Sequence, residues 1–266
     1  MMNQHEFLDI LEEHRSMNFQ EQIDYEKFYL YSIVSHSTAI EGSTMTEVEN
    51  QLLFDEGITA KGKSIIEHNM NLDLKEAYER SMEMAQDHTP FSVDMLKRLS
   101  SMVMRRTGKV YRTANGVFDS SKGDLRLVNV TAGSGGESYT NYLNVPQELK
   151  VFCEEINERR DKLLKNPDIF EQYLLSFDAH LKLVTIHPWA DGNGRMSRLM
   201  MNHLQNEFGI VANIVLKEHK AEYINALVKS REEDSDVPFQ DFMLREHATN
   251  LKQEIKNYKA SMEEEG

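Results

Sequence analysis

A mainly α-helical fold, one helical body with a small β-hairpin, is what this sequence predicts, and three observations predict it. Only five prolines and thirteen glycines punctuate 266 residues. Most of the chain repeats its apolar residues at helical spacing. The exception is 110–145, where Gly and Ser cluster (GSGG at 133–136) around two short β-favouring runs, Leu125 to Val130 and Tyr139 to Leu143.

The elements follow in order. Residues 5–14 place Phe7, Leu8, Ile10 and Leu11 on one stripe, and 22–41 form a longer helix through Phe28, Tyr29, Leu30, Ile33 and Val34, with Gly42 at the position after its end. Further helices are expected at 46–55, 64–86, 92–107, 146–164, 168–186, 195–208, 218–230 and 237–262, with a hairpin flap at about 124–145. An N-terminal helical region over 1–90 would precede a core over 91–266. The tail KASMEEEG reads as a frayed end.

Composition narrows the function. Hydrophobic residues make up 40% and charged residues 28%, as in globular proteins, and 30 basic against 44 acidic residues leave a net charge of −14. Such a surface repels phosphate backbones and anionic lipid, so neither nucleic acid nor a membrane is an expected partner. The single cysteine, Cys153, excludes an intramolecular disulfide and a multi-cysteine zinc site and fits a reducing compartment. The opening MMNQHEFLDI has neither a basic nor an apolar leader region, and a cytoplasmic location is expected.

The stretch 180–198, HLKLVTIHPWADGNGRMSR, carries the chemistry. An apolar helix runs into His187, and Pro188 stops it, leaving the imidazole at a buried helix exit. Asp191 and the turn Gly192-Asn193-Gly194 follow; such a turn can aim successive N–H groups into one concavity, and the helix that starts next adds its own free N–H groups and dipole. Arg195 and Arg198 lie on one face of that first turn, where cations are disfavoured unless a polyanion sits between them. Asp191 suits Mg²⁺ bridging phosphates, and His187 suits accepting a hydroxyl proton. Taken singly, each feature is more often structural, about one in five being functional; twelve consecutive residues converge on one pocket.

The sequence here resembles the Fic-domain proteins, whose signature runs His-Pro-Phe, any residue, Asp/Glu, Gly-Asn-Gly-Arg, two residues, Arg. Residues 187–198 depart from it only in Trp189 for Phe, an exchange that should still anchor the loop in the core. Gly108 with KVYR at 109–112 is similar to the family's Gly-x-Tyr-Arg region. The resemblance implies a Fic fold with the hairpin flap over the active site, and AMP transfer from ATP to a hydroxyl side chain of a target protein. It makes His187 the base, Asp191 the Mg²⁺ ligand, Gly192, Asn193, Gly194 and Arg195 the phosphate cradle, and Arg198 the γ-phosphate grip. It also places Tyr223 and Leu227 at the adenine, with Arg231 where some members carry Asn, and the flap at about 124–145 as the strand to which a target adds.

Upstream, Ser37-Thr38-Ala39-Ile40-Glu41-Gly42 matches the family's inhibitory motif: Ser/Thr, three residues, Glu, Gly/Asn. A carboxylate in the last turn opposes the helix dipole by ~0.3–1 kcal/mol. The resemblance names Arg198 as the cation that compensates it, which would make residues of about 22–42 an inhibitory helix, with Ser37 steadying the carboxylate. Alternatives stay open: a Fic-type transferase of another nucleotide, a deAMPylase, or a non-catalytic helical module. The family's autoinhibited members associate through helical surfaces, which leaves a homodimer open.

Several features read as decoys. GITAKGKS at 57–64 fits the P-loop pattern but lacks the preceding strand. Asn129-Val130-Thr131 fits a glycosylation sequon without a secretory context. His180, seven residues before His187, reads as a core or supporting residue, Cys153 as incidental, and Met200 and Met201 as core filler.

Overall fold

The computed structural model describes residues 2–19, 24–131 and 138–264, so the Gly/Ser cluster at 133–136 lies outside the described residues. Ten α-helices and one two-stranded sheet make up the described chain. The helices are α1 Gln4–Ser16, α2 Tyr25–Ile40, α3 Glu47–Glu56, α4 Ile65–Gln86, α5 Val93–Val103, α6 Val145–Lys165, α7 Ile169–Ile186, α8 Asn193–Glu207, α9 Lys220–Glu232 and α10 Val237–Glu264. All ten stand within a few residues of the periodicity reading. Their starts are set locally: Asn3 caps α1, Asp168 caps α7, and Thr46/Glu49 and Ser64/Glu67 form capping boxes on α3 and α4. The second capping box explains GITAKGKS: Gly57 ends α3 in the left-handed region and Ser64 opens α4, with no strand before the glycine.

α7 is buried on almost every side, and it packs on α8 at the centre of the molecule. One apolar cluster joins α2, α4, α5, α6 and the inner faces of α7 and α8; a second joins α1, α7, α9 and α10. Within residues 1–90, α1 rests on α10, while α2 packs on α4 and α4 on α8. That arrangement brings the end of α2 to the start of α8.

Two expectations need correction. α5 stops at Val103 rather than 107, because the carboxylate of Asp73 accepts from the Arg106 backbone N–H at 2.7 Å and from its guanidinium at 2.6 Å, drawing the chain out of the helix. The hairpin lies upstream of the expected one: β1 Val110–Thr113 pairs antiparallel with β2 Gly116–Asp119, with Tyr111 stacked on Phe118 and the turn at Ala114-Asn115. The described residues of the expected flap, 124–131 and 138–143, instead form an irregular arch in which Thr131 bridges Ser138 antiparallel. Its carbonyls at Val128 and Thr140 accept from the Arg126 guanidinium rather than from a strand partner.

Candidate active site

α7 ends at His187, whose φ of 53° and ψ of 60° are left-handed, while its N–H still closes the last turn onto Leu183 O at 3.1 Å. This reversal turns the chain into the loop 188–192. Trp189 is fully buried and donates from Nε1 to Gly123 O at 3.2 Å. The Asn193 side chain grips the Trp189 backbone at both ends, Oδ1 accepting from its N–H at 3.0 Å and Nδ2 donating to its carbonyl at 2.9 Å. That amide braces the loop, and only the backbone of Asn193 is left to serve a cradle.

Gly192 adopts a φ of 81°, and α8 starts at Asn193 with no side-chain cap, two residues earlier than expected. The first-turn N–H groups of α8 are thus left for an external acceptor. Two buried guanidinium groups flank them. Arg195 reaches under the loop to Val103 O at 3.4 Å and Asp191 Oδ1 at 3.5 Å, and its Nε has no hydrogen-bond partner among the described residues. Burial pushes its pKa down, so an anion here would meet a dehydrated cation with an open donor.

Arg198 is fully engaged. It donates from Nε to Ser37 Oγ at 2.8 Å, from one terminal nitrogen to Tyr223 OH at 3.2 Å, and from the other to Ser37 O at 3.1 Å and Glu41 Oε1 at 2.5 Å. Ser37 therefore holds the arginine, not the carboxylate as expected. Burial alone would raise the Glu41 pKa, but Arg198, with Arg195 and Lys220 behind it, holds it below the ordinary carboxylate range. The same carboxylate covers the cradle: a Cβ built on Gly194 would lie 2.5 Å from Glu41 Oε1.

The imidazole of His187 is half-buried. Its Nδ1 lies 3.2 Å from Val184 O, an atom that can only accept, so the proton sits on Nδ1 and Nε2 keeps its lone pair. Burial, helped by Arg126 and Arg231 and opposed by Glu41, pushes its pKa down to about 4. Asp191 keeps 58% of its side-chain surface and accepts from the Gly192 N–H at 2.6 Å. No group of three or more His, Cys, Asp or Glu side chains able to hold a metal occurs among the described residues. A lone exposed carboxylate beside an anion cradle fits Mg²⁺ arriving with phosphate oxygens rather than a resident ion.

This geometry coincides with a recognisable domain: residues 90–205 match the Fic/DOC family. Over that stretch the chain resembles a Fic domain. It is 28% identical over 204 residues to protein adenylyltransferase fic-1 of Caenorhabditis elegans, covering 76% of this chain and 36% of that protein. It is 27% identical over 202 residues to protein adenylyltransferase Fic of Aedes aegypti, covering 76% and 37%. The chain thus spans little more than a third of the length of these curated relatives. In fold it is similar to a Fic domain containing signaling protein from Bacteroides thetaiotaomicron, with a TM-score of 0.80 at 19% identity over 96% of this chain and 97% of that one. It is also similar to Fic-1 of C. elegans, with a TM-score of 0.71 at 23% identity over 98% and 73%.

Tyr223, expected at the adenine, lies beyond the matched residues and is buried beside Arg198. The residue is 1% exposed, and its hydroxyl lies between Arg198 and His180 Nε2, 2.9 Å from the latter. His180, fully buried and held neutral by burial, so supports Tyr223 and through it Arg198. Leu227 is a buried core residue of α9. The buried arginine of this region is Arg126, in Gly123-Asp124-Leu125-Arg126, whereas Arg112 is exposed on β1. Arg126 was missed by sequence reasoning. It is 1% exposed and, among the described residues, donates to carbonyls: His187 at 2.7 Å, Val128 at 2.7 Å, Ile186 at 3.4 Å, and Thr140. The Gly-x-x-Arg spacing was its one signal, and Gly108 with Arg112, one residue further apart, drew the reading away from it. Cys153 is buried, its thiol pushed up to about 12, which leaves it inert. No helix among the described residues is long and apolar enough to cross a membrane.

Proposed function

We propose that this chain is a Fic-type protein adenylyltransferase held inactive by its own α2, moving AMP from Mg²⁺-ATP to a hydroxyl of a target protein. The observation that carries it is the Glu41 carboxylate, 2.5 Å from Arg198 and seated on Gly194, where an α8 phosphate cradle would hold its anion. A carboxylate is a small stand-in for a phosphate oxygen pair, so its seat supports both a phosphate ligand and exclusion of that ligand by Glu41.

In the transfer, the N–H groups of Asn193 and Gly194 and the guanidinium of Arg195 hold the phosphates, and Arg198 takes the terminal one once Glu41 leaves. Asp191 would ligate Mg²⁺, which supplies charge neutralisation on the phosphates. His187 Nε2 accepts the proton of the target hydroxyl, whose oxygen bonds to the α-phosphorus as pyrophosphate departs. An imidazole with a pKa of about 4 is a weak base alone. Phosphates close to it favour the imidazolium, so basicity rises when nucleotide is bound. The arch over 124–143 is the surface to which a target segment adds.

The test is Glu41→Gly. Incubated with Mg²⁺ and ATP, it should transfer AMP about 100-fold faster than wild type, a barrier drop of ~2.7 kcal/mol. The adduct is read by intact mass and by label from α-³²P-ATP but not γ-³²P-ATP. Equal rates in the two proteins would sink the brake, and label from the γ position would replace nucleotidyl by phosphoryl transfer.

A further inference from the structure

The ring of Tyr139 lies against the imidazole of His187, centroids 3.8 Å apart and planes 14° from parallel. Arg231 Cζ lies over the same tyrosine ring, 4.7 Å from its centroid. Tyr139 rides on the arch and is fixed there by its neighbours. Its own N–H donates to Val130 O at 3.1 Å, and the next carbonyl, Thr140 O, accepts from Arg126. The same guanidinium donates to His187 O at 2.7 Å. One buried cation thus ties the segment carrying Tyr139 to the backbone of the residue whose ring Tyr139 covers.

That arrangement answers a mechanical need. Among the described residues the imidazole has one polar tether, Nδ1 to Val184 O at 3.2 Å, and His187 sits at a helix exit rather than inside a helix. A ring held at one atom can still swing about χ2, a broad torsion. A parallel aromatic face removes that freedom and excludes water from one side.

We propose that Tyr139 is a positioning residue for the transfer, its ring fixing the plane of the His187 imidazole and thereby making the aim of the base depend on where the arch sits. This rests on the reading of His187 as the base. The charged groups facing His187 are Arg126 on the arch, Arg231 at the end of α9, and Glu41 at the end of α2. The two arginines disfavour the imidazolium and Glu41 favours it, while burial, to which Tyr139 contributes, is the largest influence.

The deciding measurement is a pH titration of the His187 Cε1–H NMR signal in the full chain, assigned by its loss in His187→Gln. In Tyr139→Ala, water reaches the ring and its pKa should rise by one unit or more toward the ordinary ~6.5. In Tyr139→Phe, which keeps the stacked face, it should stay with wild type. In the Glu41→Gly background, Tyr139→Ala should lower kcat about tenfold, a fraction of what general-base catalysis supplies, with KM for ATP changed less than twofold. Tyr139→Phe should rescue that loss. An unmoved His187 titration in Tyr139→Ala overturns the proposal, and so does a defect that falls on KM alone. Failure of the underlying reading looks different: His187→Ala would keep its turnover in the Glu41→Gly background, whatever the titration shows.

Discussion

Arg126 and Arg198 are both almost wholly buried, yet they are stabilised by different chemistry. Arg198 faces a carboxylate, whereas Arg126 among the described residues faces carbonyl dipoles, so its charge is solvated rather than neutralised and burial pulls its pKa down. Replacing Arg126 by Met would leave the carbonyls of Val128, Thr140 and His187 without this donor. We expect a loss of about 3 kcal/mol in urea unfolding, with little rescue from Lys, which cannot reproduce the planar fork. The Glu41 pair has a definite sign with pH. Its folded-state pKa is depressed, so the pair is complete above the ordinary carboxylate range and is lost only as pH falls below it. Acidification from pH 7 to 5 should therefore leave wild-type nucleotide binding, followed by calorimetry, no tighter. Glu41 and Arg198 were legible in the sequence because each sits in a fixed-spacing motif. Arg126 and Tyr139 were not, since each acts through a contact between segments far apart in the chain.

The decisive element boundary is the start of α8, where the helix begins two residues earlier than its periodicity suggests. Apolar spacing marks the buried face of a helix but says nothing about its uncapped first turn, so Asn193 and Gly194 read as turn while they are already helical. The hairpin was misplaced for a related reason. Leu125 to Val130 and Tyr139 to Leu143 have strand-like composition, but a single side chain, Arg126, takes the carbonyls that would have laddered them. The ten helices were legible because each needs only its own residues to declare a buried stripe. Gly194 gives a test at this scale. A methyl group there would meet the flexible end of Glu41 at 2.5 Å and Arg198 at 3.2 Å rather than backbone, so Gly194→Ala should fold within ~1 kcal/mol of wild type. It should nonetheless fail to bind Mg²⁺-ATP in a thermal-shift assay, even combined with Glu41→Gly, because the methyl occupies the phosphate seat.

At the scale of the whole molecule, acid stability is governed by histidines kept neutral inside it. His187 and His203 are held at about 4, His247 at about 3, and His180 well below its ordinary value, in each case chiefly by burial. The unfolded chain takes up these protons near pH 6.5 and the folded chain does not, so their contribution is complete above that pH and declines as pH falls toward 4. Each costs ~1.4 kcal/mol per pH unit across that window, and the urea midpoint should fall steeply between pH 6.5 and 5. A flat midpoint would mean these rings are hydrated in solution. The global packing also gives α2 two duties. Its last turn supplies Glu41, but the hydroxyl and carbonyl of Ser37, one turn earlier, hold Arg198 by its Nε and a terminal nitrogen. On the proposed reading, inhibitor and receptor scaffold are one continuous piece of chain. Cutting that piece away would free the arginine and also unmoor it, so under the proposed function a truncated chain should transfer AMP more slowly than one that has lost the glutamate alone.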